Sequence, residues 1–410
     1  MKKIISMLLV LVMLLSLAAC GGNQNDTTKA PETQGESSSE TKTVKISVIT
    51  ALSGGASENG TYEVNAAKLA AKNINAAGGI KSLGGAQIEI VTYDYTSDSN
   101  NTKTGVEKVL ASNDIVAGVG GATSGLVLPT LPVWESNEIP LVTENNSNDL
   151  TNQGYEYIFS VHCRGSQVGE VSVDFIKYLK EQGHDLTKAA IVYENSAKGT
   201  SSAEGARKYC EGAGLEIVYD ESHPNTITDV TSIVTACKAA GAQVLFVYTL
   251  DQVSRLMTTA MKDLDYNPVA ITSNWTPSFY EALGEATNGI IANANWLPTN
   301  KAVLENPEYV ELCKQYKEEY GINIDQCAGG VYSSVMVIAA ALEKCGTTDG
   351  PTLMKTIAEG EWKVLLGEGT ITFNERHEAV GPVPVIGQWQ DGQVVTIFPL
   401  ELASGEYKEY

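Results

Sequence analysis

The sequence predicts an α/β protein with two doubly wound parallel-sheet lobes, and three observations lead to this prediction. Short β-branched runs alternate with Ala-rich segments of helical period from residue 44 onward. The alternation runs over residues 44–143 and restarts at residue 168. Glycine is abundant, with 38 residues, and aromatic residues make up 7% of the chain, which suits close packing of helices on sheets. Because such alternation implies right-handed crossovers, each series should form its own sheet.

The first series is predicted to contain four strands and three helices. Its strands cover residues 44–50, 87–93, 115–119 and 139–143, and its helices cover residues 62–77, 102–112 and 126–137. The third helix contains Pro129 and Pro132. Because proline is tolerated only in the first turn of a helix, we expect that helix to begin near one of the two prolines.

The second series repeats the pattern, and the last third of the chain is less regular. Helices are predicted at residues 168–182, 201–211, 230–240 and 253–264, with strands at 189–193, 215–219, 244–248 and 269–272. Beyond them we expect a strand at 290–292, helices at 307–320 and 331–344, and short strands at 369–373, 383–389 and 394–398. The helix 331–344 contains five successive apolar residues at 335–339, which predicts that it is buried.

The first 43 residues predict the compartment. Two lysines precede an apolar run from Ile4 to Leu17, which is too short for a spanning helix and typical of a signal peptide. The run ends in Leu-Ala-Ala-Cys20, which looks like a lipoprotein signal, so residues 1–19 would be removed and Cys20 acylated. An ordinary secretory peptide is the alternative. Residues 20–43 would be the lipid anchor and a flexible tether, because they lack aromatic and large aliphatic residues. We therefore expect an extracytoplasmic protein, lipid-anchored to the outer face of the cell membrane.

The charge and the motifs exclude several functions. The net charge of -21 argues against nucleic-acid binding, which needs clustered Lys and Arg. The nearest dinucleotide-binding pattern, Gly118–Thr123, has Thr123 where its third glycine should stand. The histidines are widely spaced, so we predict no catalytic residue, no metal site and no cofactor; they are His162, His184, His223 and His377.

Six cysteines besides Cys20 lie in a chain that we expect to be exported, where disulfides are permitted. They are Cys163, Cys210, Cys237, Cys313, Cys327 and Cys345. Several fall in predicted helices, which favours free, buried thiols slightly. A Cys313–Cys327 disulfide is a weak alternative, and the pairing cannot be deduced from the sequence.

Five segments carry a family resemblance. They are Thr50–Gly54 followed by Gly60, Asn73–Ile80 (NINAAGGI), Tyr93–Asp98 (YDYTSD), Gly121–Gly125 (GATSG), and Ile139–Thr143 (IPLVT) followed by Ser147-Asn148. Together with the lipoprotein signal, they resemble the branched-chain amino-acid-type (Leu/Ile/Val-binding-like) substrate-binding proteins of ABC transporters, which are type I periplasmic binding proteins. The resemblance covers residues 44–410.

The resemblance implies a clamshell whose three hinge crossings fall near residues 162, 288 and 384. The N-terminal lobe would be residues 44–162 plus 289–384, and the C-terminal lobe 163–288 plus 385–410. The implied function is capture of a small polar molecule, an amino acid or a related compound, for an ABC importer. The implied partners are this ligand and the ABC permease subunits, and we expect a monomer.

Three alternatives stay open at this point. The same fold could serve as the ligand-binding module of a sensing system. The ligand could be a solute other than an amino acid, such as an amide or a urea-like compound. An α/β enzyme would need a nucleophile–base pair in the cleft, and the scarcity of histidine speaks against it.

The resemblance places part of the ligand site on the first lobe. Ser124 and Gly125 open the helix after the third strand, where free N–H groups and a hydroxyl would bind the ligand's carboxylate. Ser147 matches the family's hydroxyl residue after the fourth strand, and Asn145 and Asn146 flank it. Asn59 falls where the family often has an aromatic residue. The alternative role for both serines is N-capping.

The second lobe departs from the family pattern. Lys198 replaces the family's tyrosine, and Asn274 replaces the acid that binds the ligand's ammonium group. Because a desolvated ammonium needs a carboxylate or several acceptors, Asp251 or Glu144 would have to substitute. Otherwise the ligand is not a plain aliphatic amino acid, and Lys198 binds additional negative charge or a carbonyl. An exposed lysine without a ligand is the alternative role for Lys198. The remaining expected ligand contact is Tyr248, at the end of the strand 244–248.

Overall fold

The structure is a computed structural model that describes residues 42–273, 275–366 and 369–409. The expected signal peptide and Cys20 lie outside the described residues, and so does Asn274. The structure gives six free cysteines, as the sequence favoured, and pairs neither Cys313 nor Cys327.

The first sheet contains five parallel strands in the order β2-β1-β3-β4-β5. Its strands are β1 Thr43–Thr50, β2 Gln87–Asp94, β3 Ile115–Val119, β4 Leu141–Thr143 and β5 Ile158–Ser160. The helices between them are α1 Ser57–Ala76, α2 Ser99–Ser112, α3 Ser124–Val127 and α4 Leu131–Ser136. The sequence analysis missed β5, which has only three residues.

The second sheet contains seven strands in the order β15-β14-β10-β9-β8-β6-β7. The central strands and helices, in chain order, are α5 Gly165–Glu181, β6 Lys188–Glu194, α6 Ala197–Cys210, β7 Glu216–His223, α7 Thr231–Ala239, β8 Val244–Tyr248, α8 Asp251–Asp263, β9 Val269–Thr272, α9 Pro277–Leu283 and β10 Ile291–Ala294. Strands β6 to β10 are parallel where they pair.

The last third of the chain contributes elements that pack with each of the two sheets. Its elements are α10 Lys301–Leu304, α11 Pro307–Tyr320, α12 Gln326–Cys345, α13 Gly350–Ala358, β11 Trp362–Lys363, β12 Thr370–Phe373, β13 Ala379–Val380, β14 Val385–Gln390 and β15 Gln393–Phe398. Strands β11, β12 and β13 form a small antiparallel sheet. Strands β14 and β15 pair in antiparallel fashion and extend the second sheet beyond β10.

Strand β10 corrects one expected boundary. It pairs with β9 and with β14, so residues 291–294 belong to the second sheet and not to the N-terminal lobe. The chain therefore leaves the second sheet after Ala294, later than the crossing expected near residue 288. A short strand can pair with either sheet, and only its tertiary neighbours decide which one.

Helices cover both faces of each sheet. On the first sheet, α1 and α12 pack together on one face, and α2, α3 and α4 lie on the other. On the second sheet, α5 and α6 lie on one face, opposite α7 and α8. Within the described residues, α12 is the one helix long and apolar enough to cross a membrane, but 72% of its most apolar window is buried against the protein. Its apolar composition therefore reflects burial in the core, as the sequence predicts.

The two prolines divide the predicted helix 126–137. Residues 128–130 form a 3-10 turn that contains Pro129, and α4 begins with Pro132 in its first turn. The polypeptide therefore forms a four-residue helix, a 3-10 turn and a six-residue helix in place of one continuous helix. The physical reason is that proline lacks the N–H that a helix interior requires.

Two residues of the family-like segments form side-chain hydrogen bonds that connect neighbouring elements of the first sheet. The Asn75 side-chain amide donates to the Ile88 carbonyl at 2.9 Å and accepts from the Ile88 N–H at 2.7 Å. These bonds attach the end of α1 to β2, the outermost strand of its sheet. Asp94 accepts from the N–H groups of Leu52 and Thr96, which fixes the loops after β1 and β2 together.

We predict that Asn75→Ala destabilises the protein by about 1–3 kcal/mol, because it leaves both backbone groups of the buried Ile88 without their side-chain partner. Urea unfolding followed by circular dichroism measures the change. Asn101→Ala is the matched control, since Asn101 is exposed on α2 and makes only a long contact with Thr96. Equal stability of the two variants would contradict this role of Asn75.

Candidate functional site

The candidate site lies where loops of the two sheets meet at the carboxyl ends of their parallel strands. The Ser147 hydroxyl, after β4, donates to the Ala197 carbonyl at 3.3 Å, and the Asn148 N–H donates to the Ser201 hydroxyl at 3.2 Å. Ala197 and Ser201 belong to the first turns of α6. Open α/β sheets bind ligands at this edge, so the geometry favours a site between the two sheets.

Glu63, on α1, organises the first-sheet side and was not identified from the sequence. Its carboxylate is fully buried and accepts from the Gly121 and Ala122 N–H groups at 3.0 and 2.8 Å. The Thr50 hydroxyl donates to it at 2.6 Å. One side chain therefore fixes the loop after β3 and the end of β1. The local sequence carried no signal for this role, since α1 also contains Glu58 and several other polar residues.

Glu144 lies beside Glu63 in the same buried region. Burial, and then the neighbouring charge of Glu63, raise the pKa of the Glu144 carboxyl well above its usual range. A protonated Glu144 can donate a hydrogen bond to the Glu63 carboxylate, as two adjacent buried carboxyl groups require. The Asn145 side-chain amide donates a hydrogen bond to Glu144 Oε1 at 3.2 Å. The raised pKa therefore favours the protonated form of Glu144 over a free negative charge.

The two predicted serines are brought together, but their hydroxyl groups form hydrogen bonds within the protein. The Ser124 hydroxyl accepts from the Ser147 N–H at 3.2 Å, and the Ser147 hydroxyl caps the 3-10 turn 148–150. The helix that begins at Ser124 has only four residues, so its dipole is weaker than the sequence analysis expected. Gly125 is exposed, with open space where a side chain would stand.

The three predicted asparagines of the first lobe also stabilise loops. The Asn59 amide donates to the Ala122 carbonyl at 3.1 Å. Asn145 is buried and donates to the Thr143 hydroxyl at 3.0 Å. The Asn146 amide donates to Asn295 Oδ1 at 3.2 Å, which connects the loop after β4 to the chain segment after β10.

Lys198 is the free cation of the site. It lies in the first turn of α6, is partly exposed, and forms no ion pair with a carboxylate in the described part of the chain. Burial and the Lys198 charge lower the pKa of His162 to about 3, so this histidine is neutral. Lys198 therefore lies close enough to His162 for its charge to act on the imidazole.

The other predicted residues of the second lobe differ from expectation. Tyr248 is 2% exposed and packs in the core beneath α5 and α6, which does not support its expected ligand contact; the end of a strand does not reveal which face a side chain takes. Asp251 forms an ion pair with Arg255 and accepts from the Thr276 hydroxyl at 3.1 Å. Burial still raises its pKa. The charge of Asp251 is therefore already compensated within the protein.

Helix α12 closes the site from the first-sheet side. Asp325 caps it by accepting from the Ala328 N–H at 2.8 Å, and burial raises the Asp325 pKa to about 7. At Gly330 the helix approaches the neighbouring segments very closely, since a Cβ there would lie 2.4 Å from Glu144 Cβ and 2.6 Å from His162 Nε2. This glycine is required for the close approach.

A buried polar network connects the site to two segments that run between the sheets. Asn295 Oδ1 accepts from the Cys163 thiol at 2.8 Å as well as from Asn146. The Asn295 N–H donates to Gln326 Oε1 at 3.0 Å, at the start of α12. Asn295 therefore contacts the loop after β4, the first crossing and the core helix at once. Sequence reasoning missed it because its partners are far apart in the chain.

Solved structures share this fold. The leucine-binding protein LivK of Thermotoga maritima has a TM-score of 0.76 and 19% identity, covering 86% of this chain and 97% of that one. The substrate-binding protein LivJ of Streptococcus pneumoniae, solved with isoleucine, has a TM-score of 0.76 and 22% identity, with coverages of 87% and 100%. An ABC-transporter solute-binding protein of Rhodopseudomonas palustris, in complex with 3,4-dihydroxybenzoic acid, has a TM-score of 0.76 and 20% identity, with coverages of 90% and 98%.

Sequence comparison finds relatives of the same type. Leu/Ile/Val-binding protein homolog 3 of Brucella melitensis is 27% identical over 362 residues, which cover 86% of this chain and 93% of the relative. Homolog 7 of Brucella abortus is 25% identical, with coverages of 89% and 94%. The family profile described as periplasmic binding protein matches residues 43–393. The sheet topology, the loops that meet at the strand ends and these matches agree: the chain belongs to the periplasmic binding protein family.

Proposed function

We propose that the chain is the extracytoplasmic solute-binding component of an ABC importer that captures an amino acid or a related small polar molecule. The observation that carries this proposal is the meeting of Ser147 and Asn148 with the first turns of α6, which brings polar loops of both sheets to one site. The names of the Brucella relatives and the isoleucine bound to the pneumococcal protein support an amino acid. The Rhodopseudomonas palustris protein, which shares the fold, binds 3,4-dihydroxybenzoic acid, and this supports carboxylates other than amino acids as further candidate ligands.

Capture by lobe closure fits this arrangement. The N-terminal lobe would comprise residues 44–162 and 295–384, and the C-terminal lobe residues 163–294 and 385–410. A ligand that contacts both lobes binds the closed state better than the open one, and this difference in affinity drives closure. No covalent step is needed. The neutral, buried His162 is also a poor general base, which supports binding without catalysis.

The ligand's charge is best matched by Lys198. Glu144 is held neutral as a donor to Glu63, and the charge of Asp251 is compensated by Arg255. Neither acid therefore offers a free carboxylate to a ligand ammonium, whereas Lys198 has no ion-pair partner among the described residues. We infer that the ligand carries negative charge or a carbonyl that binds Lys198, beyond what a plain aliphatic amino acid provides.

We also propose that Cys20 carries a lipid that anchors the protein to the outer face of the cell membrane, and that the protein is monomeric. Residues 20–43 would act as a tether with an r.m.s. reach of about 25–29 Å. The lobes would then remain close to the permease subunits that receive the ligand.

A ligand screen tests the site. At 100 times its Kd, a true ligand should stabilise the purified protein by about 2.7 kcal/mol, measured as a shift in thermal unfolding. We expect acidic amino acids or related carboxylates and amides to give larger shifts than leucine. Lys198→Met should weaken the best ligand roughly tenfold or more, because one charged hydrogen bond contributes about 1.5–3 kcal/mol.

Lys208→Met is the matched control, since Lys208 is an exposed lysine on the same helix. Unchanged affinity in Lys198→Met would remove Lys198 from the site while leaving the fold assignment intact. A screen in which leucine binds best and Lys198→Met has no effect would show instead an ordinary aliphatic amino-acid site.

Glu144→Gln tests the buried carboxyl pair. Because the pKa of Glu144 is raised in the folded protein, its contribution to stability is present below its ordinary pKa and is lost as the pH rises through the folded-state value. Glutamine keeps the donor and cannot ionise. The variant should therefore lose less stability than the wild type between pH 5 and pH 9, as measured by urea unfolding. Glu401→Gln, on an exposed acid, should behave like the wild type; an unchanged pH profile in Glu144→Gln would refute the assignment.

The lipid anchor is tested by Cys20→Ala. We expect the wild-type protein to sediment with membranes and the variant to appear in the soluble extracytoplasmic fraction, because acylation needs the cysteine thiol. Cys345→Ala controls for the loss of a thiol. Membrane association that persists in Cys20→Ala would reject the anchor.

A further inference from the structure

A cavity of about 420 Å³ lies between α11 and the residues around α9 and the turn that joins β14 to β15. Trp275, Tyr280 and Trp389 contribute to one wall, and Cys313 and Lys317 of α11 contribute to the opposite one. None of the lining residues comes from the loops after β3, β4 or β6, although Trp275 directly follows the expected ligand residue Asn274 in the loop after β9. The cavity therefore does not contain the polar groups beside Glu63 and Lys198.

One wall of the cavity is an aromatic stack. The rings of Tyr280 and Trp389 lie nearly parallel, with centroids 5.6 Å apart and 13° between their planes. Phe279 stacks on the same indole at 6.1 Å. Gly392 makes room for the stack, because a Cβ there would lie 2.8 Å from the Tyr280 hydroxyl oxygen. A rigid, flat wall of this kind suits a planar ring.

Two of the lining residues carry a buried hydrogen-bond donor that lacks a partner. The indole N–H groups of Trp275 and Trp389 are buried, and neither has an acceptor among the described residues. The two side chains belong to residues only 6% and 3% exposed. A buried donor without a partner destabilises the folded protein, so each such group needs an explanation. Because an indole nitrogen only donates, the missing partner must be an acceptor such as a carboxylate or carbonyl oxygen.

We propose that this cavity is a second small-molecule site, which binds a planar aromatic compound with a carboxylate or carbonyl group. Its ring stacks against the aromatic wall, and its oxygen atoms accept from the buried indoles. At the rim, the exposed Lys317 favours a negative charge, and the exposed Glu281 opposes one on its own side of the opening. Because α9 and α11 both contribute to the walls, the bound compound stabilises the arrangement in which these two helices lie close together.

Benzoate is the probe for the test, and cyclohexanecarboxylate is the matched compound without an aromatic face. The full chain is alkylated with iodoacetamide at mildly alkaline pH, because burial raises the pKa of the Cys313 thiol to about 11. Mass spectrometry then follows Cys313 in the cavity and Cys345 at the end of α12 separately. We expect saturating benzoate to slow the labelling of Cys313 at least fivefold, to leave Cys345 unchanged, and to act at lower concentration than cyclohexanecarboxylate.

Two variants distinguish this cavity from the candidate site. Trp389→Phe keeps the aromatic stack and removes one donor, so the Kd of benzoate from titration calorimetry should rise roughly tenfold. Trp362→Phe is its control, since the Trp362 indole donates to the Ile357 carbonyl elsewhere. Lys198→Ala should leave the protection of Cys313 by benzoate unchanged, whether or not the proposed function of that site is correct.

Three results would overturn the proposal. They are full labelling of Cys313 in saturating benzoate, an unchanged benzoate Kd in a folded Trp389→Phe variant, and loss of Cys313 protection in Lys198→Ala. The last result would place benzoate in the candidate site. Thermal unfolding of each variant verifies that it is folded before its binding is compared.

Discussion

The buried Glu63 carboxylate is the interaction on which the geometry of the candidate site depends. It holds the loop after β3 through two N–H groups, accepts from Thr50 at the end of β1, and lies against Glu144 after β4. A carboxylate is expensive to remove from water, and this one is compensated by three strong donors and a neutral neighbour. The three strand ends therefore keep fixed positions although their loops are short and rich in small residues. The serines and asparagines of the site rely on that framework.

Much of the fold was predictable because its signals are local. Periodicity and glycine placement located most strands and helices, and the family-like segments identified the clamshell. The structure gives these segments a physical role: Asn75 attaches α1 to an outer strand, and Asp94 joins two loops. The pairing of β10 could not be predicted, because a four-residue strand carries no information about which sheet it joins.

The site was predicted less completely, for a related reason. Lys198, Ser124 and Ser147 were identified from the family resemblance and their positions after strands, but the hydrogen-bond partner of each serine depends on loops distant in sequence. Tyr248 satisfied the same positional rule and lies in the core instead. Glu63 and Asn295 were missed because nothing in their local sequence distinguishes them from solvated polar residues. Their roles arise from contacts between segments that only the folded chain brings together.

The close approach at Gly330 has a consequence for how sequences of this type can diverge. The absence of a side chain there allows α12 to lie directly against Glu144 and His162. Any larger residue would have to displace either the loop after β4 or the first crossing, so the identity of position 330 is tied to the shape of the site and not to helix stability alone. In a chain that evolves toward new ligands, substitutions should therefore accumulate on the loops around the site, while this point of the core helix remains glycine. The loops that contact the ligand would then change, while this part of α12 keeps its position.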